Sequence, residues 1–161
     1  MKTNLRITFL LFLLIVGISD IIGQPTKKER KEQREKEVKE QIISENYKIN
    51  VSTAYPRRGK SVHLTSPYSL EIRNDSVFSY LPFYGRAYNI PYGGGDGLIF
   101  KAPIHEYKME MNKRGAAKVE FVTRNNEDRF QFSLNIYSNG STSINVYMQN
   151  RESISFSGEV D

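Results

Sequence analysis

From Asn46 to the end of the chain, apolar and polar positions alternate one by one, the pattern of strands that bury one face and wet the other. Tyr47, Ile49 and Val51 alternate with Lys48, Asn50 and Ser52. Tyr68, Leu70 and Ile72 do the same with Ser69, Glu71 and Arg73, and Asn74-Asp75 then turns the chain into a strand over Ser76 to Leu81. Tyr107, Met109 and Met111 lead through a turn at Lys113-Arg114-Gly115 to Ala117, Val119 and Phe121. The clearest strand is Arg129 to Ile136. Asn139-Gly140, a two-residue hairpin signal, joins it to Ile144, Val146 and Met148, and Ile154 and Phe156 close the series. About eight or nine strands with one wet face predict an all-β domain, an antiparallel barrel-like meander or a sandwich. Barrel and sandwich share this local signature, and the tight turns of the last five strands favour the barrel.

Before Asn46 the period is different. Lys27 to Glu40 holds seven basic and five acidic residues, with Glu32 and Glu35 each four positions before a lysine, which predicts a solvated helix. Val38, Ile42 and Ile43 give only its end an apolar face, so that end is expected to dock while the rest projects as an arm or linker over 24–46. At the start of the chain, Lys2 and Arg6 precede an apolar run from Ile7 to Ile18, the layout of a secretory signal peptide over 1–23. The run is too short for a comfortable membrane helix, and no later segment is longer, so the reading is export to the periplasm or medium without a transmembrane segment.

Composition narrows the function. About 138 residues remain after the leader, enough for one core. The chain has no cysteine, which excludes disulfides, thiol nucleophiles and thiolate metal sites. A net charge of +5, mixed with acid along the chain and without a reading motif, argues against nucleic acid as a partner.

The least regular stretch is Tyr80-Leu81-Pro82-Phe83-Tyr84-Gly85-Arg86-Ala87-Tyr88, followed by Pro91-Tyr92-Gly93-Gly94-Gly95-Asp96-Gly97-Leu98-Ile99-Phe100. Together with the ending Asn150-Arg151-Glu152-Ser153-Ile154-Ser155-Phe156-Ser157-Gly158, it resembles the domain of unknown function 4251, a family of exported proteins of Bacteroidota, from about Tyr47 to Val160. The resemblance implies a source and a compartment, and brings no catalytic residues with it.

The prolines interrupt pairing and the glycines permit positive backbone angles, so this stretch reads as a shaped loop. As a binding rim, Tyr84, Tyr88 and Tyr92 would offer flat faces, Arg86 a fork for a carboxylate or phosphate, and Asp96 a further polar contact for a small ligand or envelope partner. As a structural plug, the same aromatics would fold inward and Arg86 would pair with a buried acid. The glycine run lacks a P-loop lysine and is no calcium repeat, so no cofactor is expected. His63 and His105 lie in unrelated segments, and neither a Gly-x-Ser-x-Gly nor a His-Glu-x-x-His motif occurs. A non-enzymatic binding domain is therefore the first reading. The alternatives are an interaction module using the charged arm and a hydrolase built on two of Asp96, Glu106, Glu120 and Asp128.

Overall fold

Alternation becomes burial of every second residue. Along strand β6 (Arg129–Ile136) the side chains of Phe130, Phe132, Leu134 and Ile136 are fully buried, while Arg129, Gln131, Ser133 and Asn135 face outward. The computed structural model describes residues 25–89 and 97–161; the leader over 1–23, and Tyr92 and Asp96 of the loop, lie outside the described residues. Seven further strands share the pattern: β1 (Asn46–Pro56), β2 (Val62–Arg73), β3 (Ser76–Leu81), β4 (Leu98–Met111), β5 (Ala117–Arg124), β7 (Ser141–Met148) and β8 (Ile154–Val160). Each pairs antiparallel with the next, and β8 returns to β1 from Ile49↔Val160 to Pro56↔Ile154, which closes an eight-stranded barrel. Closure leaves no unpaired sheet edge, and it decides for the barrel over the sandwich. Inside, Phe121, Phe130, Phe132 and Phe156 are buried with the aliphatic side chains of all eight strands, and Phe121 stacks on Phe132 at 4.8 Å.

Two strands begin earlier than their alternation predicts. β2 starts at Val62 and β4 at Leu98, and in both a proline and a shift of register break the period. β4 carries Pro103 and a bulge between His105 and Lys108 where Glu106 takes a φ of 55°, so inward and outward positions exchange along the strand. The Asn139-Gly140 turn also differs from a two-residue hairpin. Tyr137 N donates to Ser141 O, and Gly140, at a φ of 92°, ends a loop of three residues that needs a left-handed position there.

Helix α1 (Lys27–Ile43) starts on a capping box in which Thr26 Oγ1 accepts from Glu29 N and Glu29 Oε2 accepts from Thr26 N. Val38 and Ile42 join the barrel core, whereas Ile43 stays exposed. Docking begins before Val38, because Arg34 donates to the carbonyls of Val160 and Asp161 and Glu35 accepts from Ser138. From Arg34 on, the helix therefore covers the barrel end at which β1 starts. Among the described residues no helix is long and apolar enough to cross a membrane.

At this end Tyr47 is buried, its hydroxyl 3.5 Å from that of Tyr107. Burial, and then the neighbouring Tyr107, hold its phenol well above the usual tyrosine range. The unfolded chain loses this proton near pH 10 and the folded one only above it, so the stability contributed by neutral Tyr47 is complete below about pH 10 and is lost as pH rises further. Tyr47→Phe is accordingly expected to flatten the alkaline fall in stability measured by chemical denaturation. An unchanged alkaline slope would assign the fall to other groups, Tyr107 first.

Candidate functional site

The opposite end of the barrel carries, among the described residues, the connecting segments 57–61, 82–89, 125–128 and 149–153. The longest leaves β3 after Leu81, and its first apolar residue turns inward. Phe83 is half-buried against the core, with the Arg151 guanidinium 6.0 Å from its ring centre. The following backbone is pinned to the β7–β8 turn. Ala87 forms a bridge with Arg151, Tyr88 N donates to Asn150 O at 2.8 Å, and Glu152 N donates to Arg86 O at 2.9 Å.

Three acidic residues hold this arrangement together. Asp128 is buried, and its Oδ1 accepts from the backbone N–H groups of Arg129, Gln149 and Asn150 at 2.8, 2.9 and 3.1 Å. Glu152, also buried, accepts from Arg86 N at 3.2 Å through Oε2 and lies 3.5 Å from Arg58 Nε through Oε1. Glu127 accepts from buried Arg151 at 2.5 Å, and Arg151 also donates to Gly97 O at 3.0 Å. A carboxylate surrounded by backbone N–H donors is satisfied without a cation, and a buried Arg–Glu pair is costly unless its other donors are met, as Gly97 O meets them here. The chain thus tethers one irregular connection through three turns that are distant in sequence.

The predicted loop residues divide. Phe83 takes the inward place, whereas Tyr84 and Tyr88 point to solvent, Tyr88 with 66% of its surface exposed. Arg86 is exposed, and its backbone, not its guanidinium, engages the buried acid. The inward plug and the outward rim are therefore different residues of one segment. Tyr92 and Asp96 lie outside the described residues. Because Glu152 touches both Arg58 and the Arg86 backbone, it draws the basic β1–β2 turn, with Arg57, Arg58 and Lys60 exposed, towards Arg86. Arg58, Arg151 and Glu152 were not predicted as site residues; their contacts arise only when the barrel closes.

Among the described residues, the acids considered for a hydrolase, Glu106, Glu120 and Asp128, do not assemble as a pair. Glu120 lies on the outer wall, where a hydrogen bond from Lys118 at 3.0 Å, ahead of other effects, holds its carboxyl below the usual range. Glu106 is exposed at the β4 bulge, and Asp128 is taken up by backbone donors at the barrel end. Among the described residues no three His, Cys, Asp or Glu side chains are grouped to hold a metal. The helix end offers a pocket of about 480 Å³ lined by Lys31, Glu35, Asn112, Arg114 and Tyr137 among others, too open to fix one orientation of a ligand.

The same fold occurs in the crystal structure of a DUF4251 family protein from Bacteroides eggerthii, which is similar with a TM-score of 0.60 at 15% sequence identity, covering 80% of this chain and 87% of that one. No curated protein matches. The family model described as domain of unknown function (DUF4251) matches residues 29–160, which take in α1 from its first turn, all eight strands and the pinned connection. The chain belongs to the DUF4251 family.

Proposed function

We propose that the protein is exported and acts as a non-enzymatic binding domain, holding an anionic group of a small ligand or envelope partner at the connection end of the barrel. The observation that carries the reading is the division of charge there. Asp128, Glu127 and Glu152 are consumed by backbone N–H groups and arginines inside the end, while Arg57, Lys60 and Arg86 present their charge to water. Arg86 supplies a planar fork for a carboxylate or phosphate, and Tyr84 and Tyr88 supply faces with a polar tip. The pinned backbone holds the Cα positions of Arg86 and Tyr88 before a ligand arrives, so only their side chains have to be ordered on binding. Export is supported by the basic, apolar and polar order of residues 1–23.

Citrate and tripolyphosphate serve as probes. Arg86→Ala and Tyr88→Ala are each expected to weaken binding in calorimetric titration by about tenfold, with a thermal midpoint within a few degrees of the parent, as for other exposed positions. A large fall in the midpoint from Tyr88→Ala would make that side chain part of the packing and defeat the rim reading.

A further inference from the structure

The outer wall changes character around the barrel. On β2 to β5 it is charged, with Glu71, Arg73, Lys101, Lys108, Glu110, Lys118 and Glu120. On β6 to β8 the register aligns Ser133↔Asn145↔Ser155 in one cross-strand row and Asn135↔Ser143↔Ser157 in the next, and these rows end on β1 at Tyr55 and Thr53. Every one of these positions is an uncharged hydroxyl or amide. Gln131 and Tyr147 pair in the following row. Tyr147 and Tyr55 are 53% and 46% exposed, one on each side of β8, so their strands stand two spacings or about 10 Å apart.

The side chains between the two tyrosines are short and form a shallow floor that is already ordered. Ser155 Oγ donates to Asn145 Oδ1 at 2.8 Å, and the Tyr55 hydroxyl lies 3.3 Å from Ser157 Oγ. Ser143, Asn135 and Gln131 make no side-chain hydrogen bond among the described residues. We propose that this face binds a neutral, linear glycan chain, its sugar rings stacked on Tyr147 and Tyr55 and its hydroxyls bonded to the Ser and Asn rows.

Charge selects this occupant. A polyanion or polycation finds no counter-charge on the central rows, whereas a polyol needs groups that both donate and accept, which hydroxyls and amides do. A protein partner binds through apolar anchors buried at the centre of the contact, and here the centre carries none. Aromatic rings with a polar tip, set at the two margins, suit a chain whose rings have apolar C–H faces and polar rims.

The site is separate from Arg86 and Tyr88, and the test keeps the two apart. Amide spectra of the protein are recorded with cellohexaose, xylohexaose and mannohexaose in turn. At least one is expected to shift the signals of β7 and β8, and Tyr147→Ala and Tyr55→Ala are each expected to weaken that binding by tenfold or more, while Arg86→Ala leaves it unchanged. Ser143→Lys, which sets a charge and a long side chain on the floor, is expected to abolish it. The proposal is overturned if none of the three moves these signals, or if the shifts survive loss of both tyrosines in a variant with the parent thermal midpoint.

Discussion

Replacing Gly158 with alanine is expected to destabilise the protein more than alanine at any other described glycine, by about 3 kcal/mol. A Cβ at Gly158 would stand 2.2 Å from Asn50 O and 3.0 Å from Val51 Cα, and both are backbone atoms of the neighbouring strand. Flexible side chains can swing away from an added methyl; a paired strand cannot without giving up its ladder. The clash falls on the β1–β8 seam, beside the register shift between Val51 and Thr53 that lets β1 curve, so relief would separate the two strands that close the barrel. Reversible denaturation should show the loss, with Ser157→Ala on the adjacent half-exposed position changing little. Parent-like stability of Gly158→Ala would mean that the seam is looser than its register implies.

Asp128→Ala should produce the second large effect. One carboxylate accepts from the N–H groups of Arg129, Gln149 and Asn150, and removing it leaves part-buried donors without a partner, at roughly 1 to 3 kcal/mol for each that water cannot reach. The total expected is about 3 kcal/mol. The loss is transmitted, because Asn150, whose N–H Asp128 receives, offers its own carbonyl to Tyr88 N and Asn89 N. The segment around Tyr88 should therefore loosen with the turn. Amide exchange at Tyr88 is the specific readout: faster exchange in Asp128→Ala, and a partial return in Asp128→Asn, which keeps one carbonyl acceptor. Protection of Tyr88 at the parent level in Asp128→Ala would uncouple the turn from the segment.

Much of this fold is legible as alternation. β6 reads directly because every second residue from Phe130 is apolar and faces the core, and α1 reads from its charge and from Val38 and Ile42. The first halves of β2 and β4 do not, since Pro67, Pro103 and the bulge at Glu106 break the period that carries the signal. Closure is illegible for another reason: Ile49 and Val160 meet across the whole length of the domain, and no local pattern distinguishes that pairing from a sandwich edge. The site divides in the same way. Prolines, glycines and tyrosines mark 80–100 as a shaped loop, and aromatic composition does not say which ring turns in; Phe83 does so, having no polar tip to keep wet. Asp128 attracts notice as an acid fit for chemistry, yet its surroundings are all donors from the main chain, a fact visible only once the β5–β6 and β7–β8 turns are brought together.

The connection end turns Glu127, Asp128 and Glu152 inward and Arg57, Arg58 and Arg86 outward, and an anion is proposed to bind there. Mapping the amide shifts of the protein as citrate is added tests it most directly. The largest shifts are expected at Arg57, Arg58, Lys60 and 84–88, saturating together and needing about ten times more citrate in Arg86→Ala. Shifts concentrated instead at the helix end around Lys31 and Arg114, or a titration unchanged by Arg86→Ala, would contradict the proposal.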